Sequence, residues 1–176
     1  MKLRKANAVF SLISTALLFS HAISLGVWML SQGSIPKTSS AIPVLLTVFF
    51  IIHAIISIVL MATSHKGNKG NKGKSYPKLN VATVVQRISG ALMIIFTVIH
   101  ILGVSGILHS PRAVFLIDTP LFFLLVLAHI AVSTSKAFIT LGIGNARFVK
   151  RADIVIKVIC AVTLIVDVIG FYLYVC

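Results

Sequence analysis

The sequence predicts an all-α polytopic membrane protein: a five-transmembrane-helix bundle with its N-terminus in the cytoplasm. Three observations predict it. Hydrophobic residues make up 58% of the 176 residues and charged residues only 11%, whereas soluble domains run roughly 45–50% apolar and about 25% charged. The apolar residues fall into five runs, each near the ~20 residues that cross a bilayer. The basic residues gather at alternate junctions between those runs. A mean hydropathy of +1.06 leaves apolar surface that only lipid or a partner can cover, and the length leaves no room for a soluble module beside five helices.

The expected helices run over 8–30, 42–62, 81–108, 119–141 and 154–175, in one domain covering 1–176. Their length and lack of period-two alternation favour helices over strands. The first run follows Lys2, Arg4 and Lys5 and resembles a signal peptide. It continues too long for one and reads as a retained helix. Gly33, Pro36, Ser39 and Ser40 break the chain before the second helix. Asn80 is placed to cap the third, and Ser110-Pro111 ends it. Asp118 with Thr119-Pro120 reads as the start of the fourth. Gly142, Gly144 and Asn145 close the fourth, and Asp153 can cap the fifth. The stretch 64–79 is rich in Gly, Asn and Lys, cannot bury a core, and reads as a mobile basic cytoplasmic loop. It is either a solvated topology signal or a strip that meets acidic lipid headgroups or a cytoplasmic subunit.

The formal net charge is +13, with Asp118, Asp153 and Asp167 the acids. Lysines and arginines concentrate at the N-terminus, in 64–79 (Lys66, Lys69, Lys72, Lys74, Lys78) and at Arg147, Lys150 and Arg151. The other two junctions carry Lys37 and Arg112. Cytoplasmic loops are the basic ones, which places the N-terminus inside and the C-terminus outside a multi-pass cell (cytoplasmic) membrane protein. The charge is therefore topological, and nucleic acid is not an expected partner. Cys160 and Cys176 show no metal or disulfide spacing.

Four of the six histidines carry the chemistry. His65 and His109 fall in or next to loops, but His21, His53, His100 and His129 fall one each in the first four helices. An ionisable residue within a membrane is costly and needs a partner or a ligand. At ~1.5 Å of rise per residue, His21 and His100 share an outer depth, and His53 and His129 an inner one. Two imidazoles from facing helices suit a six-coordinate haem b, whose porphyrin supplies the other four nitrogens. The pattern thus predicts two haem b groups, the outer on His21 and His100 and the inner on His53 and His129, with these histidines as the ligands of the haem iron. A proton relay is the competing use of the same residues. Lys136, two turns after His129, and Arg87 are candidate partners for haem propionates, and each also fits simple snorkelling to the interface. Gly26, Gly90 and Gly103 suit close approach of a flat cofactor or a neighbouring helix. Asp167 lies in the fifth helix with no cation one turn away. It pairs across helices, faces water or joins quinone proton chemistry, and a structural role is the favoured reading. No phosphate loop, nucleophilic triad or paired carboxylates appear, so no catalytic residue is assigned.

One stretch adds a resemblance. Gln86-Arg87-Ile88-Ser89-Gly90, followed by His100, resembles the Q-R-x-[ST]-G segment of the single-chain di-haem cytochrome b anchors of succinate dehydrogenases and fumarate reductases. The basic start Leu3-Arg4-Lys5 is similar to that family's first-helix entry, with Asn7 and Ser11 loosely matching the polar residues that follow it. The resemblance implies five helices with one axial histidine in each of the first four. It implies that helices one and three hold the outer haem and helices two and four the inner. It also implies cytoplasmic flavoprotein and iron–sulfur partner subunits. Quinone, with menaquinone the expected species, would react near the outer haem, on the side of His109 and Asp118. Two alternatives stay open: a cytochrome b anchor of another reductase or dehydrogenase, and a haem-free transporter or assembly component that uses the histidines for protons or metal.

Overall fold

The computed structural model describes residues 2–33, 41–67, 81–108 and 112–175. Within them the chain forms five helices and no strand: α1 (Lys2–Leu30), α2 (Ala41–Gly67), α3 (Val81–Val104), α4 (Arg112–Leu141) and α5 (Ala146–Val175). All five are long and apolar enough to cross a membrane, as expected of a multi-pass membrane protein. Aliphatic side chains stay exposed along every helix, among them Ile23, Val44, Ile95, Leu124 and Ile165. In water that surface would be prohibitive; in lipid it is the solvated face.

Four helices surround a central space. α1 packs on α2 and on α4, and α4 packs on α3, while α5 lies across α1 and α4. The diagonal pairs, α1 with α3 and α2 with α4, form no packed interface, and α2 does not close on α3. The buried core (Met93, Val126, Leu127, Ile130 and Cys160) joins α3, α4 and α5. One end of the bundle gathers the N-termini of α1, α3 and α5 with the C-termini of α2 and α4; we call it the basic end.

Three helices begin earlier than hydropathy indicates. α1 starts at Lys2 rather than 8, α4 at Arg112 rather than 119, and α5 at Ala146 rather than 154. Hydropathy marks where apolar side chains begin, whereas the backbone hydrogen-bond ladder runs on through polar residues. Asp153 therefore does not cap α5. Asn145 does, its Oδ1 accepting the Phe148 amide at 2.9 Å, and Asp153 pairs with Lys157. Of the other expected features, Ser34–Ser40, 68–80, His109, Ser110, Pro111 and Cys176 lie outside the described residues.

Pro120 sits inside α4 rather than at its start. Proline lacks the N–H that would bond the carbonyl four residues back, so the Leu116 carbonyl loses its helical donor. The Tyr172 hydroxyl of α5 donates to that carbonyl at 3.2 Å. The substitution Tyr172→Phe is expected to destabilise the bundle by about 0.5–1.5 kcal/mol, measured by thermal unfolding in detergent. An unchanged melting temperature would mean that the carbonyl does not depend on this donor.

Candidate functional site

The four intrahelical histidines are each half-buried, and His53 lines the space between the first four helices. By helical rise from the basic end, His21 and His100 lie at roughly 28 Å and His53 and His129 at roughly 20 Å. His100 is within electrostatic reach of His21, and His129 of His53. The two members of each of these pairs stand on helices that do not pack on each other, α1 with α3 and α2 with α4. Among the described residues no three metal-binding side chains converge. The arrangement is two pairs, not one cluster.

His129 is held most firmly. Its Nδ1 lies 3.1 Å from the Gln86 backbone carbonyl and 3.1 Å from Ser89 Oγ. A carbonyl only accepts, so Nδ1 carries the proton and the lone pair resides on Nε2. Ser89 donates its own hydroxyl to the Val85 carbonyl at 2.6 Å, which leaves its oxygen free to accept from the same N–H. An imidazole oriented by a backbone carbonyl through Nδ1 is the usual state of a histidine ready to bind a metal through Nε2. The glycine of the same motif makes room for it: a Cβ on Gly90 would stand 3.0 Å from His129 Cε1. Gly90→Ala is therefore expected to push the ring off the Gln86 carbonyl and to shift the His129 imidazole nitrogen resonances. Unshifted resonances would show that the ring tolerates the methyl group.

Two of the other rings are held differently. His53 has a buried Nδ1 without a hydrogen-bond partner among the described residues, and the Asn7 backbone lies beside its ring. Asn7 also ties α1 to α2, its Oδ1 accepting from Ser57 at 3.2 Å. His100 packs on Phe122 at 5.2 Å between ring centroids. Phe122 in turn stacks on Phe96, with 7° between the planes.

A cavity of about 550 Å³ opens between the inner pair and the basic end, lined by Arg4, Asn7, His53, Gln86, Ser133 and Lys136 among others. Its lining holds two cations and no acid. Lys136 Nζ donates to Gln86 Oε1 at 2.7 Å and lies 3.4 Å from Thr83 Oγ1. Gln86 thereby orients two groups of α4, His129 through its carbonyl and Lys136 through its amide. Arg87 is exposed and does not line the cavity, although its charge reaches Lys136. Arg4 is the cavity cation that sequence reasoning missed. The signal was present in the 3-, 4- and 7-residue spacings of Arg4, Asn7, Ser11, Ser14 and His21, which mark one face of a helix.

Away from the histidines, Asp167 is 2% exposed and faces α1. Its Oδ1 has no hydrogen-bond partner among the described residues. Gly26 is the residue it meets, for a Cβ there would stand 2.8 Å from Oδ1. Gly103, by contrast, has open space around it. Asp118 lies half-buried in α4, and Cys160 is a buried free thiol. Comparison with protein-family models, curated proteins and solved structures returns no match.

Proposed function

We propose that this chain is the membrane-anchor, di-haem cytochrome b subunit of a succinate dehydrogenase or fumarate reductase type complex, passing electrons between a cytoplasmic flavoprotein and iron–sulfur enzyme and the membrane quinone pool. One observation supports the reading: His100 lies within electrostatic reach of His21 and His129 of His53, and His129 donates Nδ1–H to the Gln86 carbonyl, which puts its lone pair on Nε2.

The residues fit the group. His21 with His100, and His53 with His129, would hold the outer and inner haem irons. Each bound haem supplies a one-electron redox centre whose potential its surroundings set. Gln86 and Ser89 keep the His129 ring in the ligating tautomer, and Gly90 leaves the ring its place. Lys136 and Arg4 sit where they would offset the carboxylates of the inner propionates, an arrangement in which charge-assisted hydrogen bonds are strong. Arg87 lies nearer the surface and acts on Lys136 through its charge.

The N-terminus is cytoplasmic in this reading, because the basic end then follows the positive-inside rule. The flavoprotein and iron–sulfur subunits would dock at that end. Quinone, with menaquinone the expected species, would react toward the opposite face.

The test is a reduced-minus-oxidised optical spectrum of the purified protein, with a pyridine haemochrome assay for haem per chain. Sharp b-type bands at about two haems per chain are expected. A colourless protein, produced with haem available, would sink the reading in favour of a haem-free transporter or assembly component. Co-purification with succinate-oxidising or fumarate-reducing activity separates this family from anchors of other reductases and dehydrogenases.

A further inference from the structure

We propose that the start of α5 binds an anionic phospholipid, with Arg147, Lys150 and Arg151 on its phosphate and the helix face beyond them along its acyl chains. This site is apart from the histidine pairs and does not rest on the haem reading.

The early start of α5 creates it. Because the helix begins at Ala146, the three cations are part of a rigid element and not of a loop. Their spacing of i, i+3 and i+4 puts them on one helix face. All three are exposed, and none forms an ion pair among the described residues. The nearest acid in the chain, Asp153, is engaged by Lys157 at 2.5 Å. The Asn145 cap holds the first turn in place.

The same face continues away from the basic end as Ile154, Val158, Val162, Ile165 and Ile169, between 49% and 58% exposed. The α-helical repeat carries this stripe from the cations through most of the helix. The charge and the stripe together select the ligand. An acidic soluble subunit could meet the cations but would have no use for aliphatic side chains that run on into the bilayer. A zwitterionic lipid could lie on the stripe but would not repay the unpaired cations. An anionic phospholipid uses both, and arginine suits its phosphate through paired N–H donors.

The test compares phosphatidylglycerol with phosphatidylcholine, titrated onto the full chain in detergent, with bound lipid counted by native mass spectrometry. Two variants lose equal charge, R147Q/R151Q on α5 and K2Q/K5Q on α1. The unmodified chain should prefer phosphatidylglycerol. R147Q/R151Q should weaken that binding on the order of tenfold or more, since each cation near an anionic surface is worth roughly a factor of five. K2Q/K5Q should leave it unchanged. Equal binding of the two lipids by the unmodified chain, or equal losses in the two variants, would overturn the proposal. Loss of a co-purifying soluble subunit from R147Q/R151Q with lipid binding intact would also overturn it, in favour of a protein partner. A check that needs no variant is salt: raising ionic strength should erase most of the preference, and a salt-insensitive preference counts against the site.

Discussion

On the proposed di-haem reading, replacing His129 by alanine is expected to leave the purified chain with about one haem instead of about two, because a six-coordinate haem b takes both axial ligands from the protein. His53→Ala should give the same loss. His21→Ala and His100→Ala should each remove the other haem and spare the inner one. A redox titration distinguishes the two cases, since a different wave disappears in each. The effect of His129→Ala on the apo-fold is small by comparison. It removes the hydrogen bonds to Gln86 and Ser89 that cross from α4 to α3, worth about 1 kcal/mol each. The variant should therefore stay folded, which a thermal scan checks. Two outcomes would defeat the pairing: all four variants losing both haems in proportion, or His53→Ala and His129→Ala removing different ones.

The second large effect is at the contact of α1 with α5. Gly26→Ala should destabilise the bundle by about 1–3 kcal/mol, the usual range for forcing an extra carbon into a packed interior. The new methyl would stand 2.8 Å from Asp167 Oδ1 and 3.2 Å from Val166 Cγ1. The two helices are in close approach at Gly170 as well, where an added Cβ would stand 3.4 Å from the Gly26 carbonyl oxygen, Leu30 Cγ and Met29 Cβ. Trp28 and Tyr174 close the same seam, with ring centroids 4.6 Å apart. If the clash is with the carboxyl, trimming it should help, so Gly26→Ala with Asp167→Ala should be less destabilised than the two single losses added together. A coupling of 0.5 kcal/mol or more is the range for residues in contact. Strict additivity in thermal unfolding would show that Asp167 moves aside freely and that its burial does not depend on Gly26.

That seam also shows what a sequence alone cannot specify. Asp167 is conspicuous in the sequence as an acid with no cation one turn away, yet nothing in its neighbours points to Gly26, 141 positions earlier in the chain. The same holds for the cation of the inner cavity. Arg87 sits in a recognisable motif that reads equally as a propionate partner or as a residue snorkelling to the interface; its side chain is exposed, and it is Arg4 of α1 that lines the cavity with Lys136. Proline misled in another way. Pro120 reads as a helix start because proline is tolerated in a first turn, whereas it stands in mid-helix, where a hydroxyl from α5 reaches the carbonyl it frees.

By itself the sequence determined the number of helices long and apolar enough to cross a membrane, and the depth of each histidine along its own helix. Hydrophobic length and rise per residue are properties of one chain segment and its distance from an interface, and need no knowledge of neighbours. Only the tertiary structure decided the tautomer of His129, the lining of the basic cavity, the partner of Asp167 and the placement of the α5 cations on a rigid face. Each of these depends on where one side chain points relative to a residue on another helix. That direction is settled by packing and hydrogen-bond geometry between helices, which one-dimensional periodicity does not carry.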